Sequence, residues 1–508
     1  MHDAPATDKT ATDPALKDLL PDGRIFVAGS WQEGRGAEIT SIFPADLTVN
    51  RRFRGASRAD GEAAIAGAKR AQADPAWRDM APPQRARILH RIAEGIEAAQ
   101  ERIAQIQMRD TGKTLTETRA LAASAAGTFR YFAAVLETMD EEMTAPRGNS
   151  LTLSLHEPIG VVAAITPWNS PIASDAQKVA PALAAGNAVV LKPASWAPLV
   201  ALELARIIEA AGLPKGLFSV LPGSGREIGA LLVEHPDIGR VSFTGGTATG
   251  LGIAAGAAAK LMPVSLELGG KSPTIVFEDA DQDQALAGVL YGIFSSSGQS
   301  CIAGARLLVQ RGIHDAFLGR LVAAARALRV GHPQDPATQV SCLVHPDHRN
   351  AVEAQVAAAV ARGARVLCGG ARPEGAAYAE GAYYLPTILT DVGPEDPIWQ
   401  EEVFGPVLVV RAFDDEAEAI ALAEDSDYGL ACGIWTRDFP RAWRVGRAVT
   451  TGTVWINTYK QFSISTPFGG EKMSGMAREK GRDGLRAYMR QKSLYVDLSG
   501  TPLPWTAL

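Results

Sequence analysis

The chain has 508 residues, 21% of them charged and 46% hydrophobic, with a formal charge of −6. That is an ordinary globular composition, too long for one core, so two or three domains are expected. The acidic balance argues against a nucleic-acid partner, and no run of about eighteen apolar residues is present to span a membrane. Residues 1–21 mix Asp, Lys, Thr and Pro without an apolar stretch, so a polar tail is expected there rather than a signal peptide. Four cysteines without framework spacing fit a reducing, cytoplasmic setting.

Taken in order, residues 24–33 read as a strand and turn. Asp60 is expected to cap a helix reaching about Gln72. Further helices follow Pro82-Pro83, with Ile88, Ile92 and Ile96 spaced by four, and Thr114. Residues 151–156 alternate apolar and polar, as a half-exposed strand does. From residue 160 short apolar runs (161–165, 188–191, 217–221, 241–243, 264–266) alternate with helical stretches (172–185, 198–211, 225–234, 247–260). Continuous apolar strands separated by helices predict a parallel sheet covered on both faces. The carboxyl ends of those strands carry Gly-rich, polar or charged loops, which is where such a sheet holds a nucleotide. A second α/β alternation runs from Thr274 to about Thr458, and Tyr495–Leu498 reads as a short final strand.

Cys301 stands apart from Cys342, Cys368 and Cys432. It closes Gly298-Gln299-Ser300-Cys301, a small-residue turn between a helical pattern starting near Asp283 and an apolar strand. Glycine giving close approach beside a thiol is how a nucleophile is presented. A lone loop cysteine is otherwise more often inert.

Several motifs together settle which reading applies. Pro167-Trp168-Asn169, Lys192-Pro193-Ala194-Ser195, Phe243-Thr244-Gly245-Gly246-Thr247, Leu266-Glu267-Leu268-Gly269-Gly270-Lys271, Gly298-Gln299-Ser300-Cys301, Glu401-Glu402-Val403-Phe404-Gly405-Pro406 and Pro467-Phe468-Gly469-Gly470 occur in one order over about 22–498. The chain resembles the aldehyde dehydrogenase superfamily. The resemblance implies an α/β fold of two doubly wound parallel-sheet domains plus a small β oligomerisation arm. The coenzyme domain would be 22–138 with 158–268, the catalytic domain 269–470, and the arm 139–157 with 485–500. A homodimer or homotetramer is implied, as is a small-molecule aldehyde substrate. The family's sheet lacks the G-x-G-x-x-G fingerprint, and so does this chain.

The same resemblance assigns roles. Cys301 would attack the aldehyde, Asn169 and the Cys301 backbone N–H would hold the oxyanion, and Glu267 would be the base that hydrolyses the thioester. Glu479 matches a second acid of a proton relay; a surface charge is the alternative. Asn169 has an alternative as a helix cap. For the coenzyme, NAD or NADP, the implied contacts are Ile165, Thr166, Pro167, Trp168, Lys192, Ser195, Gly225, Phe243, Thr244, Gly245, Gly246, Leu268, Glu402 and Phe404. Ser195 stands where strict NAD enzymes commonly carry glutamate, so repulsion of a 2′-phosphate is absent and NADP use is expected; Ser195 as a helix cap is the alternative. No metal is implied.

The substrate funnel would be lined by Ser170, Ser174 and Gln177, by Ser295 with Ser296 and Ser297, and by Lys460, Phe462 and Phe468. Small hydroxyls and one cation favour a polar substrate, a carboxylate-bearing semialdehyde or a bulky oxygen-rich aldehyde. Lys460 directed at solvent, with the serines only satisfying backbone groups, is the alternative. A non-catalytic relative that keeps the fold is the rival to enzymatic function.

Overall fold

The computed structural model describes residues 18–145, 148–501 and 505. Residues 1–17 of the expected tail lie outside the described residues.

The first sheet has eight strands in the order Ser30–Gln32, Ile25–Val27, Phe218–Val220, Ala188–Lys192, Val161–Ile165, Ile238–Thr244, Val264–Glu267, Gly475–Met476. The five from Phe218–Val220 to Val264–Glu267 run parallel. Val161–Ile165 and Ala188–Lys192 are buried along their whole length, which is why they read as unbroken apolar runs. The edges are antiparallel: the 25–32 hairpin on one side and Gly475–Met476 on the other.

Two features of this sheet position the site. Registers pair Ile165 with Lys192 and with Phe243, and Thr244 with Glu267, so these carboxyl ends line up along one edge. The strand order reverses in sequence between Val161–Ile165 and Ile238–Thr244, and a crevice opens where such a reversal separates the following loops.

The second sheet runs Arg365–Cys368, Thr387–Thr390, Val407–Phe413, Arg306–Gln310, Pro273–Val276, Ala431–Trp435, Thr453–Ile456. It is parallel except at Arg365–Cys368. Strand Val264–Glu267 of the first sheet reaches Pro273–Val276 of the second through Leu268–Ser272 alone. The carboxyl end of a strand in one sheet is thereby tied to the amino end of a strand in the other.

One helix and one strand depart from expectation. The helix Arg58–Ala73 is capped by Ser57, not Asp60; Asp60 is its third residue and returns a carboxylate to the Ser57 N–H, closing a capping box. The final strand is Met489–Asp497, nine residues rather than four, paired along its length with Ser150–Pro158. Arg490, Gln491 and Lys492 hide it from an apolar pattern because the ribbon is held by backbone pairing with largely exposed side chains.

Candidate active site

The helix Gln282–Phe294 gives way to a short 3₁₀ turn, Ser295–Gly298. Ser296, Ser297 and Gly298 all take positive φ, 57°, 53° and 71°. At Gly298 a Cβ would lie 2.0 Å from the Gly405 carbonyl oxygen, so only glycine fits. Gln299 then fixes the loop, its Oε1 accepting from Val344 N at 2.8 Å. Cys301 emerges partly buried against a cluster that includes Leu430, Trp455 and Tyr459, on which Phe468 also packs. Gly270 lies against the Cys301 carbonyl, where a Cβ would come within 2.3 Å. The thiol is pushed up to about 12 by burial, with the Glu402 and Glu267 charges adding and Lys460 opposing.

Asn169 reaches this loop from the first sheet. Its Nδ2 donates to the Gln299 carbonyl at 3.1 Å, two residues before Cys301. It caps nothing: Ser170 occupies the cap of helix Pro171–Ala184, without a side-chain bond. Glu267 ends its strand 4% exposed, and neither carboxylate oxygen has a hydrogen-bond partner among the described residues. Gly469 makes room beside it, since a Cβ there would lie 2.9 Å from Oε1. Burial first, and the Glu479 charge second, hold the Glu267 carboxyl well above the usual range.

Glu479 is not a surface charge; it too is 4% exposed. Reciprocal backbone bonds of 2.7 Å with Phe468 fix its place. Its carboxylate pairs with the buried Lys178 ammonium and accepts from Ser242 Oγ at 3.1 Å. A second 3.1 Å bond joins Lys178 Nζ to Ser242 Oγ.

A cavity of about 580 Å³ opens at the crevice, lined by Ile165, Thr166, Pro167, Trp168, Lys192, Gly225, Phe243, Thr244, Gly245 and Gly246 among others. Burial lowers Lys192 to about 8. Phe404, at φ 55°, sets its ring 5.2 Å from Trp168, and His348 Nε2–H donates to its carbonyl at 2.8 Å. Glu402 is held by one bond, from Gly270 N at 2.9 Å, and burial raises it to about 7. Leu268 departs from the group: its side chain is core, packed where Gly250 leaves space. Ser195 lines an adjoining cavity of about 740 Å³ with Trp196, Ser224 and Glu227. Its hydroxyl donates to the Gly223 carbonyl at 3.3 Å and caps no helix, the next one starting at Leu199.

Ser170, Ser174 and Gln177 are partly buried along one face of helix Pro171–Ala184, at the spacing of successive turns. Lys460 does not point at solvent. Its Nζ donates to Ser295 Oγ at 2.8 Å and lies 5.9 Å from the Tyr291 ring, and burial, with Lys113 adding, lowers it to about 7. Phe462 and Phe468 pack edge to face at 5.5 Å. Ser297 is a correction: it is 3% exposed and exchanges bonds with Ser341, so it braces the turn. Ser296 likewise bonds Glu117 through its N–H at 2.6 Å. Hydroxyls beside a left-handed turn satisfy local groups before they reach a ligand.

Lys178, Ser242, Lys480, Lys113, Glu117 and His348 escaped sequence reasoning. For Lys178 a signal existed. It shares the apolar stripe of Ala182 and Val179, and a charge on a buried stripe requires a partner.

Comparison with known proteins agrees with this geometry. The family model described as Aldehyde dehydrogenase family matches residues 31–494. Betaine aldehyde dehydrogenase of Sinorhizobium fredii (strain NBRC 101917 / NGR234) is 42% identical over 96% of this chain and 99% of its own. The solved structure of betaine aldehyde dehydrogenase from Staphylococcus aureus in complex with NAD⁺ superposes with a TM-score of 0.95, at 35% identity over 99% of this chain and 100% of that one. A putative aldehyde dehydrogenase from Burkholderia cenocepacia gives 0.93 at 39% identity, covering 95% and 99%. The chain belongs to the aldehyde dehydrogenase family.

Proposed function

We propose that the chain oxidises an aldehyde to a carboxylic acid with Cys301 as nucleophile, Asn169 as oxyanion donor and Glu267 as hydrolytic base. The observation that carries this is convergence. Asn169 from the first sheet bonds the loop that presents Cys301, and the Gly-Gly step after Glu267 bears on Cys301 itself. Cys301 adds to the carbonyl as a thiolate, giving a thiohemiacetal whose oxyanion takes the Asn169 amide and the Cys301 N–H. A bound NAD⁺ or NADP⁺ supplies the hydride acceptor. The resulting thioester is hydrolysed by water that gives its proton to Glu267, and Glu479 with Lys178 lies behind to carry it on.

The cleft fits a dinucleotide. Lys192 is the buried cation for a ribose, and Glu402, a half-buried carboxylate with a single bond among the described residues, takes ribose hydroxyls. With no carboxylate at Ser195, NADP⁺ is used as well as NAD⁺; Glu227, in the same cavity, is the acid that would oppose it. The segments 139–157 and 485–500, with the strands Glu142–Met143, Ser150–Pro158 and Met489–Asp497, are proposed as the oligomerisation arm, beside a coenzyme domain of 22–138 with 158–268 and a catalytic domain of 269–470.

The substrate is polar, with a carboxylate-bearing semialdehyde favoured. Lys460, beside Ser295, supplies a cation in the funnel, and the small side chains of Ser170 and Ser174 leave it open. The relatives' name supports a second reading, betaine aldehyde. A quaternary ammonium needs aromatic faces, and those of Phe462 and Phe468 already carry the Lys480 ammonium. The test is reduced-coenzyme absorbance with a semialdehyde acid, the uncharged aldehyde of equal length and betaine aldehyde, for wild type, Cys301→Ser and Lys460→Ala. Preference for the acid should be about tenfold to a hundredfold, the worth of one charge-assisted bond, and should fall in Lys460→Ala. Preference for betaine aldehyde decides for the second reading. Turnover undiminished in Cys301→Ser refutes the mechanism, and no turnover in the wild type leaves the non-catalytic relative.

A further inference from the structure

Lys480 has no role in the chemistry above, yet it sits in the centre of it. It is 7% exposed. Its ammonium lies 4.2 Å from the Phe462 ring centroid and 5.0 Å from that of Phe468, with no hydrogen bond to protein among the described residues. Phe462 meets Trp455 at 5.6 Å, and Cys301 and Phe468 both pack on the buried cluster that holds Trp455 and Tyr459. The backbone of Lys480 has φ 61° and ψ −179°, a region otherwise left to glycine, at a cost of about 1–3 kcal/mol. A lysine is thus kept in a strained, buried position where a neutral residue would cost less to bury.

Burial lowers the Lys480 ammonium, and the facing charges of Glu479, Glu267 and Cys301 work against that. Around Cys301 the remaining charges are Glu402 and Glu267, which oppose the thiolate, and Lys460, which favours it. Around Glu267 they are Glu479 on one side and Lys178, Arg478 and Lys480 on the other. Lys178 is already engaged by Glu479, and Arg478 by Glu471. Lys480 is the cation that faces both reacting groups with only rings as partners.

We propose that Lys480 is an electrostatic positioning residue for the nucleophile, its ammonium parked on Phe462 and Phe468 so that Cys301 gives up its proton against a fixed positive charge. The S–H bond breaks, the proton leaves through a carboxylate or water, and the electron pair stays on sulfur beside the ammonium. No oxidant or reductant is needed. The same charge favours the ionised form of Glu267, against the burial and the Glu479 charge that oppose it. The proposal rests on Cys301 being the nucleophile.

The test is the pH profile of Cys301 alkylation by iodoacetamide, followed by peptide mass in the full chain. Cys342, Cys368 and Cys432 are buried and serve as internal references. Wild type, Lys480→Met and Lys480→Arg are compared. Lys480→Met should titrate about one unit higher, making alkylation below the titration about tenfold slower, because one unit is a tenfold change in thiolate fraction. Lys480→Arg should stay near wild type. A folded Lys480→Met whose profile superimposes on wild type overturns the proposal, since a purely structural lysine changes thermal stability and not this profile. If Lys480→Met does not fold, Phe462→Leu, at a half-exposed position, removes one seat of the ammonium and is read the same way; an unchanged profile there also overturns it. Full turnover in Cys301→Ser would instead refute the nucleophile assignment, so the two failures are distinguishable.

Discussion

Glu267→Gln separates the two halves of the reaction. The substitution is isosteric and removes no protein hydrogen bond, because neither carboxylate oxygen has one among the described residues. Burial and the Glu479 charge both penalise the ionised form. A carboxyl raised in the folded state makes its contribution below its unfolded pKa and loses it as pH rises. Glutamine escapes that loss, so the variant should melt no lower than wild type at pH 8. Catalysis changes differently. Cys301 still attacks, the oxyanion donors are intact, and only water activation loses its base, worth about 10²–10⁴ in rate or about 3–5 kcal/mol. Stopped-flow absorbance should show a burst of about one reduced coenzyme per site, followed by a steady state slower by that factor. Loss of the burst together with the steady state would refute the assignment of Glu267 to deacylation alone.

Three further outcomes are expected. In wild type the steady-state rate should rise with pH along a limb above the ordinary carboxylate range, because Glu267 must be ionised and burial raises it; a profile equally steep in Glu267→Gln contradicts this. Asn169→Ala should lower kcat by about 10²–10³, the worth of one oxyanion donor, with coenzyme Kd nearly unchanged; equal losses in both would make Asn169 a loop brace. Ser195→Glu should raise KM for NADP⁺ relative to that for NAD⁺, and a wild type without NADP⁺ turnover ends that line.

Much of this was legible in the sequence, for a physical reason. Buried parallel strands are continuous apolar runs, and the loops after Ile165, Lys192, Thr244 and Glu267 are punctuated by glycine and proline, so the crevice was readable. The roles proposed for Cys301, Asn169 and Glu267 were read from motifs that demand those residue types. What stayed hidden depends on side chains meeting across long separations. Lys178 and Glu479 are 301 residues apart, and Lys480 finds Phe462 and Phe468 only through the strained turn after Glu479. Ser297 misled because a hydroxyl before a nucleophile looks like a ligand contact until the positive φ turns it toward Ser341. The final strand was shortened because a two-sided exposed ribbon carries no apolar alternation.

The central claim is that Cys301 carries the acyl group. Acid-quenched Glu267→Gln, mixed with aldehyde and coenzyme, should gain the acyl mass on the peptide containing Cys301, and Glu267→Gln combined with Cys301→Ser should gain nothing. Acylation elsewhere, or an unmodified Cys301 during a full burst of reduced coenzyme, would contradict the account.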